Sequence, residues 1–368
     1  MPSLLYSLQS VSMVSRFNPE PFRQQLLGWF DENARDLPWR RSSDPYAIWV
    51  SEIMLQQTRV ATVLEHYARF MERFPVLESL AVASEDEVLA YWSGLGYYRR
   101  ARLLHRAAQF IAQKLGGKLP EKAVALRALP GVGEYTAAAV ASIGFGEAVA
   151  CVDGNVERVL RRLMGWNEIS VTAAKSRAQA TRLLDAARPG DFNQAMMELG
   201  ATVCLPRGPL CLQCPVVELC ATRGEHRAGA RKKMRSMESA YAFLRRSPRP
   251  HADEVLLEQR PASFSLMPGM WELPEIDPET ALEENKALTL RHSITDTNYY
   301  VSIYRLDPKQ LRRLPKRSAP RQWCRVRDLQ TLPLTGLTRK ALKRLHSWPG
   351  YGDGPAALLE PVRPETPV

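Results

Sequence analysis

Over residues 19–219, apolar side chains recur at helical spacing, with short interruptions at Gly and Pro. Asp44 followed by Pro45 is typical of a helix start with Asp44 as N-cap, and Thr58 is expected to cap a helix over residues 59–74. No segment of this region sustains an alternation of apolar and polar residues. The pattern therefore predicts an all-α domain.

The pattern changes in the last third of the chain. Residues 239–246 and 254–260 predict two paired strands. Residues 270–276 and 291–305 are rich in the aromatic and β-branched side chains that favour strands, and residues 336–346 predict a helix. This second region is therefore expected to be an α+β domain.

These changes of pattern define the expected domain organisation. We expect a helical domain at residues 17–221, a basic linker at 222–236, an α+β domain at 237–347, and a Pro- and Gly-rich disordered tail at 348–368.

The overall charge favours a polyanionic partner. The chain has 50 Lys and Arg against 39 Asp and Glu, a formal net charge of +11. Such an excess of positive charge favours binding to nucleic acid. The alternative is that the charge only keeps the protein soluble. No apolar run approaches the roughly 18 residues of a membrane span, and the first residues lack the features of a signal peptide. We expect a cytoplasmic, nucleoid-associated monomer.

A glycine-containing turn, Leu129 to Thr136, separates two short helical segments. Gly131 and Gly133 let the backbone turn tightly and approach a ligand, and the free N–H groups of the helix that begins at Glu134 face the turn. A phosphate suits this position, and it would be held without regard to base sequence. The alternative is a simple link between two helices.

Two carboxylates lie in contrasting environments. Glu52 has the apolar neighbours Ile53 and Leu55, and desolvation raises the pKa of a carboxyl. Asp153 lies where a new helix begins, and backbone donors there keep a carboxylate ionised. An acid beside an anion is the pair that cleaves a glycosidic bond. Alternatively, Asp153 is only an N-cap and Glu52 only a buried partner of an arginine.

Four cysteines lie within seventeen residues, a spacing typical of metal ligands and a reducing compartment. Cys204, Cys211, Cys214 and Cys220 form only one C-x₂-C pair, whereas zinc sites usually contain two separated pairs. The spacing favours a [4Fe–4S] cluster, with zinc as the alternative. Arg207 in the same loop is expected to reach a DNA phosphate.

Three motifs resemble known DNA glycosylases. The turn at residues 129–136 resembles the helix–hairpin–helix of the superfamily that includes endonuclease III. Residues 51–58 and 152–156 are similar to the catalytic helix and the Asp loop of MutY-type adenine DNA glycosylases, and the cysteine spacing is also that of this family. Where bifunctional relatives have a lysine, this chain has Tyr135, and a phenol cannot form an imine. The resemblance therefore implies base removal with little or no strand cleavage.

The resemblance also implies roles for individual residues. Glu52 protonates adenine at N7, Asp153 stabilises the oxocarbenium ion, and Tyr135 and Asn155 support both by hydrogen bonds. Gln57 and Glu198 are expected closest to the polar edge of the flipped base. Gln56 and Tyr97 are expected to fill the vacated stack, although Tyr97 is alternatively a core aromatic. The remaining residues placed around the base are Leu37, Trp39, Arg40, Leu55 and Val60.

The second domain resembles a Nudix fold without the Nudix box that binds Mg²⁺, so we expect it to bind rather than hydrolyse. In MutY-type enzymes this domain recognises 8-oxoguanine opposite the adenine. A Phe-Ser-His loop is usual there, and this chain has Ile294, Thr295 and Asp296 instead. We expect Ile294 to act as a wedge and the Thr295 hydroxyl to contact the damaged base. The negative charge of Asp296 is expected to loosen the recognition of 8-oxoguanine.

These observations predict a monofunctional adenine DNA glycosylase that binds double-stranded DNA containing an A:8-oxoguanine or A:G mispair. One alternative is a mismatch thymine glycosylase, since relatives of that kind also have Tyr in the hairpin. Another is an iron–sulfur DNA-binding sensor without catalysis, against which the presence of both Glu52 and Asp153 argues.

Overall fold

The computed structural model describes residues 18–166, 171–225, 234–250, 252–264, 266–277, 283–294, 296–315 and 319–349. Backbone contacts divide the chain into two units. The first contains residues up to Val88 and from Tyr97 to Arg231, and the second contains Leu89–Gly96 and the chain from Lys232 onward. Ser93 in the short segment donates a hydrogen bond to the Leu334 carbonyl at 2.9 Å. The predicted linker residues 226–233 and tail residues 350–368 lie outside the described part.

The described part of the first unit is helical, which confirms the predicted fold class. The α-helices before residue 226 are α1 Pro19–Asn33, α2 Pro45–Leu55, α3 Val60–Arg73, α4 Leu77–Val82, α5 Glu85–Trp92, α6 Arg99–Lys114, α7 Ala123–Leu126, α8 Glu134–Phe145, α9 Gly154–Leu163, α10 Ala173–Leu183 and α11 Pro189–Thr202. The end of α5, from Leu89 onward, belongs to the second unit.

Local chemistry sets several helix starts. The Asp44 carboxylate accepts a hydrogen bond from the Tyr46 N–H and caps α2, as predicted. The prediction for Thr58 is wrong: α3 begins one residue later than expected, after Arg59, and has no side-chain cap. The Thr58 hydroxyl instead accepts a hydrogen bond from the Arg100 guanidinium at 3.0 Å. A long-range partner has replaced the local one.

A helical core positions the segments that contain the candidate catalytic residues. Phe22 of α1 meets Phe192 of α11 edge to face, with ring centroids 6.2 Å apart. Leu160 of α9 and Leu199 of α11 are 0% and 1% exposed in the same cluster. The half-buried Cys204 and Cys214 pack against this cluster. The helix that begins at Asp153 and the cysteine loop therefore share one core.

The second unit is built from two small sheets and a helix, which confirms the expected α+β class. One sheet has the order β5-β1-β7-β6, and in the other β3 pairs with β2, β4 and β8. Leu337 and Leu342 of the helix pack in one apolar cluster with residues of both sheets. The elements are β1 Arg235–Phe243, β2 Arg245–Arg246, β3 Glu254–Gln259, β4 Trp271–Glu272, β5 Glu275–Ile276, β6 Lys286–Ile294, β7 Thr297–Arg305, β8 Arg321–Arg325 and α12 Gly336–Arg344.

The predicted strand pairing is only partly right. β1 runs parallel to β7 over its full length, and only Arg245 and Arg246 pair with β3. The chain changes sheets at Leu244, which is fully buried. Residues 270–276 likewise divide between the two sheets. Strand propensity locates such strands, but pairing depends on contacts distant in sequence. Across the described residues, no helix is long and apolar enough to span a membrane.

Candidate active site

Glu52 lies on α2 with only 6% of its surface exposed. The Tyr135 hydroxyl donates a 2.7 Å hydrogen bond to its Oε2 atom. Burial raises the pKa of Glu52 from an ordinary 4.5 to about 7, although the Tyr135 hydrogen bond lowers it in part. The charge of Asp153 raises this pKa further, so the two carboxyls are close enough to interact. Near neutral pH, Glu52 therefore holds a proton that it can give up.

Asp153 is held by donors at the start of α9. Its Oδ1 atom accepts from the Val156 N–H at 2.8 Å, and its Oδ2 atom accepts from the Asn155 side-chain amide at 2.9 Å. The carboxylate is half-buried and faces the positive end of the helix dipole. Both oxygens of Asp153 therefore accept hydrogen bonds from donors at the helix start, an environment unlike the apolar burial of Glu52.

Tyr135 contacts Glu52 directly and lines one cavity with Asp153. Its hydroxyl also lies 3.2 Å from the Met197 Sδ atom, and burial raises the pKa of Tyr135 well above 10, which keeps the phenol neutral. Tyr135 and Asp153 line a cavity of about 230 Å³ between α8, α9 and α10. Glu52 does not line this cavity, so of the two carboxyls it is Asp153 that faces the cavity.

A chain of hydrogen bonds leads from Asp153 to the cysteine loop. The Asn155 side-chain oxygen accepts from Arg158 at 2.8 Å, and Arg158 donates to the Cys204 carbonyl at 2.8 Å. A Cβ at Gly200 would lie 2.6 Å from the Asn155 Cβ, so glycine lets α11 approach this point. Sequence reasoning missed Arg158 and Gly200, and the spacing of Arg158 from Asn155 along α9 was the one available signal.

Glu198 does not offer a free edge to a base. Its two carboxylate oxygens accept from the Arg35 guanidinium at 2.6 and 2.7 Å, and Oε2 also accepts from Arg40 at 2.8 Å. Burial alone would raise the pKa of Glu198, but these hydrogen bonds outweigh it and lower the pKa. The contacts support an ion-pair role for Glu198 and Arg40 in place of the predicted base contact, and Arg35 is a residue that the sequence did not reveal.

The apolar residues predicted around the base differ in exposure. Leu37 and Trp39 are 5% and 6% exposed, and the Trp39 ring meets Tyr67 edge to face at 5.3 Å. Little of their surface is open to a flipped base. Leu55 and Val60 are half-buried, at the end of α2 and the start of α3.

The structure distinguishes Gln56 and Tyr97, which were predicted to fill the vacated stack, and Gln57, which was predicted at the polar edge of the flipped base. The Gln56 side-chain amide donates to the Thr136 hydroxyl at 3.0 Å and is half-buried. Gln57 is exposed with a φ of 55°. Tyr97 is 44% exposed with a φ of 47°, so it is not a core aromatic. Gln57 and Tyr97 are therefore exposed, whereas the Gln56 side chain is held against α8.

The hairpin glycines serve different purposes. Gly131 has a φ of +75°, and a Cβ there would lie 2.5 Å from the Leu103 Cβ, so glycine is required by the fold. Gly133 is the N-cap of α8 with an ordinary φ of −84°. A Cβ at Gly133 would meet nothing within 4 Å. The open side of Gly133 and the N-terminus of α8 remain accessible to an anion.

The four predicted cysteine ligands are free thiols that line one small cavity with Arg162. Arg162 is 3% exposed, and its guanidinium donates to the Cys204 Sγ atom at 3.3 Å. Its Nε atom is buried with no hydrogen-bond partner, its Nη atoms donate to the Leu205 and Pro206 carbonyls, and among the described residues no carboxylate forms an ion pair with it. A buried cation needs a counter-charge, and an anionic group held by the four thiolates would provide one. The donor set therefore fits such a group.

Among the described residues, no three His, Cys, Asp or Glu side chains lie close enough together to hold a single ion. The preference for a [4Fe–4S] cluster over zinc therefore rests on the spacing of the cysteines in the sequence.

The remaining predicted residues lie on the surface or outside the described part. Arg207 is exposed in the cysteine loop. Ile294 is half-buried at the end of β6. Thr295 lies outside the described residues. Asp296 follows it, and its carboxylate is 3.9 Å from the Arg235 guanidinium.

Comparisons with known proteins match both units. Residues 50–185 match the family described as HhH-GPD superfamily base excision DNA repair protein, and residues 248–344 match the NUDIX domain. The chain is 41% identical over 327 residues to a protein named adenine DNA glycosylase in Homo sapiens, covering 73% of this chain and 60% of that protein. The chain thus spans about 60% of the length of its human relative.

Two further relatives each match 56% of the chain. A plant protein of the same name, from Arabidopsis thaliana, is 44% identical over 237 residues, with 56% of this chain and 38% of that protein covered. A solved structure titled as a thermostable thymine-DNA glycosylase aligns with a TM-score of 0.53 at 31% identity, over 56% of this chain and 96% of that one.

Proposed function

The chain belongs to the HhH-GPD superfamily of base excision DNA repair proteins, and on that premise we propose that it is an adenine DNA glycosylase. Its substrate is adenine mispaired with 8-oxoguanine or guanine in double-stranded DNA. The observation that carries the proposal is the pair of unlike carboxyls, Glu52 and Asp153, which are close enough for the charge of one to raise the pKa of the other. One is protonated by burial near neutral pH, and the other is held by donors at a helix start.

The chemistry follows from the two environments. Glu52 donates its proton to the purine ring, so the C1′–N9 bond breaks with its electron pair leaving on a neutral adenine. The Asp153 carboxylate stabilises the positive charge on the sugar. Water then adds at C1′ and returns a proton to the Glu52 carboxylate, which restores the acid. Tyr135 and Asn155 hold the two carboxyls in these roles.

The lack of an amine at Tyr135 supports a monofunctional enzyme. Strand cleavage by this class of chemistry requires an amine that forms an imine with the sugar. Tyr135 is a neutral phenol and cannot supply one. Borohydride should therefore trap no covalent complex with DNA, and a trapped complex would contradict this assignment.

The four thiols are proposed to hold a [4Fe–4S] cluster through Cys204, Cys211, Cys214 and Cys220. When bound, the cluster would cross-link the loop through its four cysteine ligands. Electron transfer would be a separate function of the cluster. Arg162 then balances its charge. In this arrangement Arg207 is presented on an ordered loop and reaches a DNA phosphate.

The second unit is proposed to bind the base opposite the adenine. Its sequence matches the NUDIX domain but lacks the Nudix box, which supports binding without hydrolysis. Ile294, Thr295 and Asp296 occupy the expected recognition loop, and Asp296 brings a negative charge. That the protein acts as a cytoplasmic, nucleoid-associated monomer remains a prediction from sequence.

A mismatch thymine glycosylase is the second candidate, because part of the chain aligns with a thermostable thymine-DNA glycosylase. That structure aligns with 56% of the chain, whereas the human relative extends over 73% of the chain. Single-turnover kinetics on duplexes containing A:8-oxoguanine, A:G or T:G separates the candidates. Adenine release supports the proposal, and thymine release alone overturns it. No release at stoichiometric enzyme would favour a non-catalytic iron–sulfur sensor.

A further inference from the structure

Two exposed residues of the helical unit hold unusual backbone conformations. Gln57 and Tyr97 have φ values of 55° and 47°, in the left-handed region that non-glycine residues rarely adopt. Such residues persist only where their surroundings enforce the conformation. Both side chains are exposed, so burial of these side chains does not explain the strain.

Arg100 contacts the segments that contain both residues. Its Nη1 atom donates to the carbonyls of Ile53 and Met54 at 2.8 and 3.1 Å and also to the Gln56 carbonyl. Its Nη2 atom donates to the Thr58 hydroxyl at 3.0 Å. The contacts to Gln56 and Thr58 bracket Gln57 in the chain.

The same guanidinium lies against the second exposed residue. The Arg100 Cζ atom is 5.2 Å from the centroid of the Tyr97 ring, within the range of a cation–π contact. Burial lowers the pKa of Arg100 to about 10, so the group stays charged at neutral pH. The carbonyls it binds belong to the last turn of α2, where cations are favoured and helix partners are missing.

We infer that Arg100 is a positioning residue for base extrusion, because its guanidinium clamps the α2 end and the Tyr97 ring so that Gln57 and Tyr97 project together. This inference rests on the proposed function. Arg100 itself contacts no base. Flipping a base out of the duplex costs free energy. Side chains that are ordered before DNA binds lose less entropy when they enter the space that the base has left, so the opened duplex is easier to hold.

The test compares the variant Arg100→Met with Arg106→Met, an exposed arginine on the same helix that controls for net charge. One substrate is a duplex with adenine opposite 8-oxoguanine. The other has adenine opposite an abasic-site analogue, so that no base pair has to be broken before the adenine is flipped. Arg100→Met should slow single-turnover release from the mispair by roughly 10- to 100-fold, the range for losing a charged donor. The loss should be much smaller on the unpaired adenine, and Arg106→Met should match wild type on both.

A second readout does not require catalysis. The base analogue 2-aminopurine, placed beside the mispair, brightens when the stack opens, and Arg100→Met should reduce that increase at saturating protein whereas Arg106→Met should not. Arg100→Lys keeps the charge without the planar fork and should recover part of the signal, and thermal melting confirms that each variant folds. Equal losses on both duplexes, or full brightening with Arg100→Met, would overturn the inference. A wild-type protein that opens the stack but releases no adenine would overturn the proposed function alone.

Discussion

At the scale of single residues, the Tyr135 hydroxyl and burial act in opposite directions on Glu52. Burial raises the pKa of Glu52 to about 7, and the hydrogen bond from Tyr135 restrains the rise. An acid works only while protonated. The rate of adenine release should therefore be constant well below pH 7 and fall as the pH rises through the pKa of Glu52.

Tyr135→Phe removes the donor that stabilises the ionised form of Glu52, so the pKa of Glu52 should rise further. The decline in the pH–rate profile should move to higher pH by up to about one unit. Single-turnover rates across pH 5 to 9 measure the shift. Tyr300→Phe, in the exposed part of the second unit, is the control and should leave the profile unchanged. A shift toward lower pH would contradict the assigned hydrogen bond.

Glu198→Gln should destabilise the helical unit. The Glu198 side chain is 1% exposed and pairs with two arginines, and removing one partner of a buried ion pair typically costs about 3–5 kcal/mol. Urea unfolding measures the loss. Asp36→Asn breaks an exposed pair with Arg41 and should change stability little. A Glu198→Gln protein of wild-type stability with altered base preference would show that Glu198 reads the base instead.

The surroundings of a residue were predictable from sequence where the determining contact is local. Asp153 caps the helix that begins at the next residue, so its neighbours in the chain predict its donors. The apolar neighbours of Glu52 likewise predict its raised pKa. The partner of Glu198 lies 163 residues away, at Arg35, and nothing in the local sequence of either residue indicates that pair.

At the scale of elements, the two glycines of the hairpin have different roles: Gly131 is required for folding, and Gly133 is proposed to serve DNA binding. Gly131→Ala introduces a Cβ 2.5 Å from Leu103 in a left-handed conformation, and should cost about 1–3 kcal/mol of stability. Gly133→Ala meets open space and should cost under about 1 kcal/mol. If the start of α8 holds a phosphate, Gly133→Ala should still weaken duplex binding, by roughly tenfold.

Thermal melting and fluorescence anisotropy on the same two variants check this prediction. A Gly133→Ala protein with wild-type melting temperature and wild-type affinity would mean that the hairpin only connects two helices.

The sequence predicted whether a segment is a helix or a strand better than it predicted where the element begins or which strands pair. Helix starts with a capping side chain, such as the one at Asp44, were found from sequence. The start at Arg59 was misplaced because Thr58 is engaged by Arg100 across the fold. The division of residues 270–276 between two sheets depends on pairing with strands far away in the chain, which strand propensity does not encode.

At the scale of the whole molecule, the net charge of +11 predicts strong salt dependence. Neutralising roughly 6–10 phosphates would lower affinity about 10³- to 10⁵-fold between 50 and 200 mM salt. Anisotropy titrations of an A:8-oxoguanine duplex across that range measure the slope. Arg207→Ala should reduce the slope by about one, as expected for a single phosphate contact. A flat response would contradict the role given to the basic residues.

The domain organisation also shows a limit of sequence reasoning. The change from helical to strand pattern marks the second unit, and both units match known families. The inclusion of Leu89–Gly96 in the second unit has no counterpart in the pattern, because that segment has the same helical character as its neighbours. Only contacts such as that of Ser93 with Leu334 reveal the grouping.

The central claim is that Glu52 is the proton donor for adenine release. Its most direct test is the single-turnover rate of adenine release from an A:8-oxoguanine duplex by Glu52→Gln, measured beside the duplex affinity of the same variant. A glutamine keeps the shape but has no acidic proton, so the rate should fall by roughly 10²- to 10⁴-fold while affinity stays near that of wild type. Adenine release at the wild-type rate by a folded Glu52→Gln protein would contradict the account.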